Sequence, residues 1–147
     1  MSTTQDIHPV ANIIKTAFET RNFTPMVELF TEDGVYETPY AFDNKRSEGI
    51  AAIRARFALV SNSQWNKAVK ITKVRMNIIP AADSDTIIAE FFISGERVAD
   101  GEHFDFPSSL AIIHTADGRI THYKDYPNTL GIIKAAGQMQ QFAQGLK

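Results

Sequence analysis

The sequence predicts an α+β fold in which one strongly curved antiparallel sheet carries helices on its concave side around a pocket. Three observations lead there. Apolar residues recur at helical spacing through the first part of the chain. Strand-like runs separated by turn chemistry fill most of the rest, and a helical signature returns after Pro127. No repeat, low-complexity segment or linker divides residues 1–147, so the chain reads as a single domain.

Val10, Ile13, Ile14, Ala17 and Phe18 follow the i, i+3, i+4, i+7, i+8 spacing of one helical face. A short second helix is expected at Thr24-Pro25, with Thr24 as N-cap and proline in the first turn. Thr31-Glu32-Asp33-Gly34 breaks the chain into a strand over 35–38 that Pro39 closes. Ile50, Ile53 and Phe57 mark a third helix over about 49–60. Strands are then expected over 69–79, 86–94, 108–115 and 119–126, with a weaker strand signal over 97–106. The residues 80–85 and Ala116-Asp117-Gly118 supply the clearest turns. Pro127 stops the last strand, and Asn128 can cap a helix carrying Leu130, Ile133 and Ala136 that Gly137 interrupts. Helices that cover a curved sheet incompletely leave a cavity, which is where small ligands bind.

The last hairpin decides which side chains enter that cavity. If Ala116-Asp117-Gly118 is a three-residue loop with a left-handed Gly118, Thr115 pairs with Arg119. Ile113 then faces Thr121, Ala111 faces Tyr123 and Ser109 faces Asp125, all on one side. Leu110, Ile112, His114, Ile120, His122 and Lys124 take the other. Lysine is rarely buried without a partner, so the Lys124 side should be the outer one, and Tyr123 and Asp125 should point inward. A two-residue turn would change the neighbours of Asp125 without changing its alternation with Lys124. Desolvation raises a carboxylate's pKa and suits it to proton transfer near neutral pH. An equally open reading makes Asp125 a structural group bonded by Tyr123, Ser109 or the start of the last helix.

Composition removes several classes of function. The chain has 147 residues, enough to bury a core without staples, and it has no cysteine. Disulfides, thiolate metal sites and a cysteine nucleophile are therefore excluded. Fifteen basic and seventeen acidic side chains leave a net charge of −2, and Lys67, Lys70, Lys73 and Arg75 are too scattered to suggest nucleic acid. No run approaches the ~20 apolar residues of a membrane span. The polar residues 1–6 lack the pattern of a signal peptide, so a cytoplasmic setting is expected.

Two segments, Leu29-Phe30-Thr31-Glu32-Asp33-Gly34-Val35 and Gly49-Ile50-Ala51-Ala52-Ile53-Arg54, resemble the first half of SnoaL-like proteins. Asp117-Gly118-Arg119-Ile120, followed by Tyr123-Lys124-Asp125-Tyr126, resembles the last hairpin of the same family, which belongs to the nuclear-transport-factor-2-like superfamily. The resemblance spans about residues 7–137. It implies a cone-shaped α+β barrel, a homodimer, an apolar pocket and no cofactor. Members include polyketide cyclases, ketosteroid isomerases, limonene-epoxide hydrolases, scytalone dehydratases and phenazine-biosynthesis proteins. In SnoaL-type cyclases an Asp on the last strand acts as acid/base, and Asp125 matches it. The chain departs from the isomerases, whose base precedes the proline matching Pro39, because Thr38 stands there and Glu37 should face away. The hydrolases need an Arg and a second Asp on the strand over 86–94, which offers only Glu90. The cyclase reading loses least, although the family's frequent histidine two positions before the Asp is Tyr123 here.

The expected function is cofactor-independent proton-transfer chemistry, such as cyclisation, dehydration or isomerisation, on a small apolar and ring-forming or cyclic molecule. Asp125 is the expected acid/base, with Tyr123 orienting it or donating to a developing enolate oxygen. Tyr36, Tyr40, Phe57, Trp65, Glu90, Phe92, Ser109 and Ile113 are candidate pocket residues. His103 and Asp105 share a face but lack a third ligand, so no metal site is expected. The residues 102–106 are a candidate lid. A non-catalytic protein that binds the same kind of molecule is the alternative, and a protein-docking domain a weaker one.

Overall fold

The computed structural model describes residues 8–146; the polar residues 1–6 and the start of the family-like region at residue 7 lie outside the described residues. Helix α1 (Pro9–Thr20) opens on Pro9, where a missing N–H costs nothing, and His8 Nδ1 accepts from the Ala11 amide at 3.4 Å. It buries Val10, Ala11, Ile14 and Ala17 and ends on Arg21, held in left-handed conformation at φ 61°. In α2 (Thr24–Val27) the N-cap position is Phe23, which makes no side-chain cap bond. Thr24 is not the cap but the first residue of the helix, and its amide donates to Asn22 Oδ1 at 3.3 Å.

Strand β1 (Phe30–Glu37) absorbs the turn-like Thr31 to Gly34 stretch as an irregularity in its pairing. The short β2 (Arg46–Glu48) follows, exposed or half-exposed throughout, and its three residues leave no alternation to read. Helix α3 (Ile50–Ser61) buries Ile53 and Phe57. The one-turn α4 (Gln64–Ala68) is capped by Ser63, whose hydroxyl accepts from the Asn66 amide at 3.2 Å. Four long strands come next: β3 (Val69–Ile79), β4 (Thr86–Arg97), β5 (His103–Ala116) and β6 (Arg119–Pro127). The weak signal over 97–106 resolves into the end of β4 and the start of β5. Asn128 Oδ1 caps α5 (Thr129–Ala136) by accepting from Gly131 at 3.1 Å, and Gly137 ends it at φ 73° before α6 (Met139–Gly145).

The six strands lie in the order β2-β1-β6-β5-β4-β3. Every neighbouring pair is antiparallel except β1 and β6, which run parallel. The expected wholly antiparallel sheet is thus mixed, and it is curved but open rather than closed into a barrel. The physical reason is connectivity: β1 and β6 meet across nearly the whole chain, so no hairpin dictates their relative sense. Helix α3 packs on β1, α1 on β3 and α5 on β5. Ile87, Ala89, Phe91 and Ile93 from β4 join Ile14, Ile53, Phe57 and Tyr123 in one buried cluster on the helical side. Burying a side chain of that size contributes about 1.5–3 kcal/mol, which fixes the register of the strands that carry them.

The last hairpin differs from the expected loop. Asp117 and Gly118 both have positive φ, 52° and 75°, and Ala116 pairs with Arg119. This is a two-residue turn of the kind that matches strand twist. The register then shifts between His114 and Thr115, leaving Thr121 as the extra residue. Asp125 comes opposite Ala111 and Tyr123 opposite Ile113. The bulge also returns Ile120 to the buried side, whereas uninterrupted alternation had placed it outside.

Candidate functional site

Among the described residues, Asp125 is one of three buried polar or charged side chains, with 8% of its surface exposed. β6 brings it to the helical side, and β1 delivers Tyr36 beside it because Tyr36 pairs with Tyr123 in the parallel register. The Tyr36 hydroxyl donates to Asp125 Oδ2 at 2.5 Å. Asp125 Oδ1 is buried without a partner among the described residues. Burial pushes the carboxyl up to about 6, and the Tyr36 hydrogen bond and the charge of Arg56 pull against that rise. Desolvation therefore outweighs both stabilising influences on the anion. Burial, and then the Asp125 charge, hold the Tyr36 and Tyr123 phenols well above their usual range.

Arg56 reaches this corner from α3, with its guanidinium carbon 4.7 Å from the centre of the Tyr36 ring. Its Nη2 donates to Thr38 Oγ1 at 2.9 Å and its Nη1 to the Lys45 carbonyl at 3.2 Å. The cation is thus anchored by neutral acceptors and leaves Asp125 without a direct ion pair. Glu37 faces away, as alternation requires, and bonds Arg46 on the other side of the sheet.

A cavity of about 190 Å³ opens beside Asp125 between the sheet and the helices. Its walls are mainly aromatic and aliphatic, with Phe18, Tyr36, Phe57, Trp65 and Ile93 among them. Ser108 and Ser109 line it together because the register shift between Phe91 and Phe92 turns both toward it. Ser108 donates to the Phe91 carbonyl at 3.2 Å. Trp65 is fixed by its indole N–H, which donates to the Ile132 carbonyl at 2.9 Å. A larger hollow of about 430 Å³ runs along β5 and α5, but no buried titratable group faces it.

Five of the sequence-predicted residues therefore meet at the cavity: Asp125, Tyr36, Phe57, Trp65 and Ser109. The others do not. Tyr123 is 1% exposed, its hydroxyl is unpartnered and it does not line the cavity, so the phenol that bonds Asp125 is that of Tyr36 rather than Tyr123. Ile113 is fully buried in the core behind it. Glu90 and Phe92 stand on the opposite face of β4, because Ala89, Phe91 and Ile93 take the inner positions. Glu90 there accepts from Asn77 at 2.9 Å, and the Arg75 guanidinium covers the Phe92 ring. Tyr40 is 85% exposed and packs on Tyr126. The candidate lid over 102–106 lies beside the larger hollow: His103 to Phe106 pair with β4, and the Glu102 carbonyl accepts from the Arg97 amide at 2.8 Å. His103 and Asp105 approach Glu96 and Arg75, and no group of three potential metal ligands gathers among the described residues.

Sequence reasoning missed Arg21, Arg56 and Ser108. Arg21 directly follows α1 and Arg56 lies on α3 beside Arg54, and only the packed structure distinguishes them from ordinary surface charges. Ser108 depends on a bulge that alternation cannot foresee.

Comparison with known proteins fits this geometry. The profile of the SnoaL-like domain matches residues 10–123. The uncharacterized protein YesE of Bacillus subtilis is 35% identical over 113 residues, covering 75% of this chain and 73% of its own. An uncharacterized PhzA/B-like protein of Pseudomonas aeruginosa is 30% identical over 119 residues, 80% of each chain. Among solved structures, a Bacillus subtilis protein provisionally described as an isomerase superposes with a TM-score of 0.72 at 28% identity, over 94% of this chain and 97% of its own. A Pseudomonas putida protein provisionally described as a polyketide cyclase shares the fold at a TM-score of 0.60 and 19% identity, over 87% and 96%.

Proposed function

This chain belongs to the SnoaL-like domain family, and from that premise we propose that it is a cofactor-independent acid/base enzyme acting on a compact, apolar, ring-forming or cyclic molecule. One observation carries the reading: a buried Asp125 has one oxygen held by Tyr36 and the other without a protein partner, at the wall of an apolar cavity. A carboxyl pushed up to about 6 is mostly ionised at neutral pH yet regains a proton readily. Asp125 would take a proton from a carbon next to a carbonyl and return it at a second position. Tyr36 holds Oδ2 and leaves Oδ1 without a protein partner to take the proton, while the Ser109 hydroxyl in the same wall can donate to the developing enolate oxygen. A cytoplasmic homodimer belongs to the same reading, the dimer being what the family resemblance implies.

Solvent-deuterium exchange at the α-carbon of single-ring ketones, followed by NMR, tests this without knowledge of the natural substrate. The protein should accelerate exchange, and Asp125→Asn should lower the rate by about 10²-fold or more without lowering the melting temperature. Equal rates in the two proteins would overturn the assignment and favour a binding protein that returns its ligand unaltered.

A further inference from the structure

The cavity holds a second charged group that the acid/base reading does not use. Arg21 sits in its wall, half-buried, at the left-handed residue that ends α1. Its guanidinium lies between two rings, 5.0 Å from the centre of Phe23 and 5.1 Å from that of Trp65. Its Nε donates to Asn66 Oδ1 at 2.8 Å. Asn66 is fixed in turn, since its Nδ2 donates to the Ser61 carbonyl at 2.9 Å. The side chain is therefore aimed before any ligand arrives.

What Arg21 lacks is an acceptor for its two terminal nitrogens. The other arginines have one. Arg54 pairs with Glu28 and Arg46 with Glu37 and Glu48. Arg97 has Asp100 and two helix carbonyls, Arg75 approaches Asp105, Arg56 has Thr38 and Lys45, and Arg119 has the Glu28 and Phe30 carbonyls. Among the described residues only Arg21 and Arg75 have neither terminal nitrogen hydrogen-bonded, and Arg75 is exposed with the Asp105 carboxylate 3.6 Å away, so Arg21 alone lacks both a hydrogen bond and a counter-ion there. A guanidinium used only as packing would be better served by a carboxylate beside it. Burial without that partner draws its pKa down to about 10. Arg56, not Arg21, is the cation whose field reaches Asp125, so the cationic and acid/base parts of the cavity are separate.

Resting on the acid/base reading of the same cavity, we propose that the ligand is a compact carboxylate, of about single-ring size, whose anionic group docks on the Arg21 fork while its apolar body lies toward Asp125. A planar fork matches a carboxylate through two parallel hydrogen bonds. The size limit comes from the volume. About 190 Å³ is little more than the ~150 Å³ engineered cavity that takes up benzene. A single ring fills this space, and a fused polycycle would have to project out of its open side. The aromatic walls suit the ring, and an acid group on the ring would explain why an otherwise apolar cavity keeps an unpaired cation.

Titration with benzoate and with its neutral counterpart benzamide, followed by calorimetry or NMR near neutral pH, tests the proposal. The wild-type protein should prefer benzoate by about tenfold or more. Arg21→Gln should remove that preference while leaving benzamide affinity within about twofold, and Arg21→Lys should keep part of it. Equal affinities in the wild type, no saturable benzoate binding at millimolar concentration, or an intact preference in a folded Arg21→Gln protein would each overturn it. Asp125→Asn separates this proposal from the catalytic one. It should retain the benzoate preference whether or not Asp125 moves protons, and loss of the preference there would place the anion elsewhere.

Discussion

Two carboxylates one residue apart in the pairing of β1 with β6 live in opposite worlds. On the helical side, Asp125 shares a single short hydrogen bond with the neutral Tyr36 phenol and keeps one oxygen unpartnered. On the outer side, Glu37 lies opposite Lys124, accepts from Arg46 Nη1 at 2.9 Å and contacts His122 Nε2. The outer carboxylate is compensated by the half-exposed Arg46 guanidinium. The inner one is desolvated and underpartnered. The strand pair is the same and the side chains differ by one methylene, so the contrast comes from burial and from the charge of the neighbours. Structures tolerate a group such as Asp125 at a cost, and sites of this kind are where proton chemistry is performed.

The largest effect that would sharpen the contrast is the dependence of stability on pH. Folding raises the Asp125 pKa from 3.8 to about 6, so the folded state holds the proton more tightly than the unfolded chain. The stabilisation from this group is complete below pH 3.8 and is lost as pH rises through about 6. The loss amounts to about 3 kcal/mol by pH 8. Asp125→Asn, which cannot ionise, should escape it. Urea unfolding at pH 4 and pH 8 should show the variant gaining about 2.5 kcal/mol on the wild type between the two, since the unfolded carboxyl is already partly ionised at pH 4. A gap that stays constant would mean that the carboxyl is not desolvated.

Tyrosine to phenylalanine changes come next and separate two phenols of similar burial. Tyr36→Phe removes a hydrogen bond to a charged acceptor, which is worth about 1.5–3 kcal/mol when the acceptor is ionised. Because that bond favours the anion, its loss should raise the Asp125 pKa above its present value of about 6 and move the pH midpoint of proton exchange upward with it. Tyr123→Phe deletes a hydroxyl that has no partner, so stability should hold or rise slightly and the midpoint should shift less. If the two variants behave alike, Tyr36 is not the orienting residue.

Much of this architecture was legible because local rules agreed. β3 matches its expected bounds, Asn128 caps α5 as its residue type suggests, and Lys124 correctly marks the outer face against Asp125. The expectations that failed depended on long-range pairing. Nothing in the sequence announces that β1 joins β6 in parallel, and that pairing is what puts Tyr36 rather than Tyr123 on the carboxylate. The direction of Glu90 is not readable from alternation because β4 is apolar on both faces; in the structure Phe91 and Ile93 take the inner side and Glu90 the outer one. Two bulges, at Thr121 and Ser108, each displaced residues by a single position, which is enough to exchange faces.

The smallest expected effect is at the outer carboxylate, and it tests whether the two faces are independent. Glu37→Gln removes the charge shared by Arg46 and His122 but keeps the side chain's length and one acceptor oxygen. Arg46 retains Glu48 at 2.8 Å, and Glu37 is not among the influences on Asp125. Partly exposed ion pairs of this kind contribute within about 1 kcal/mol, and salt screens them. The variant should therefore lose a little stability at low ionic strength, recover most of it in high salt, and leave the pH midpoint of proton exchange where it was. A shift of that midpoint would show that charge on the outer face reaches through the sheet. The unpaired state of Asp125 would then depend on the whole β1–β6 pair rather than on its own pocket.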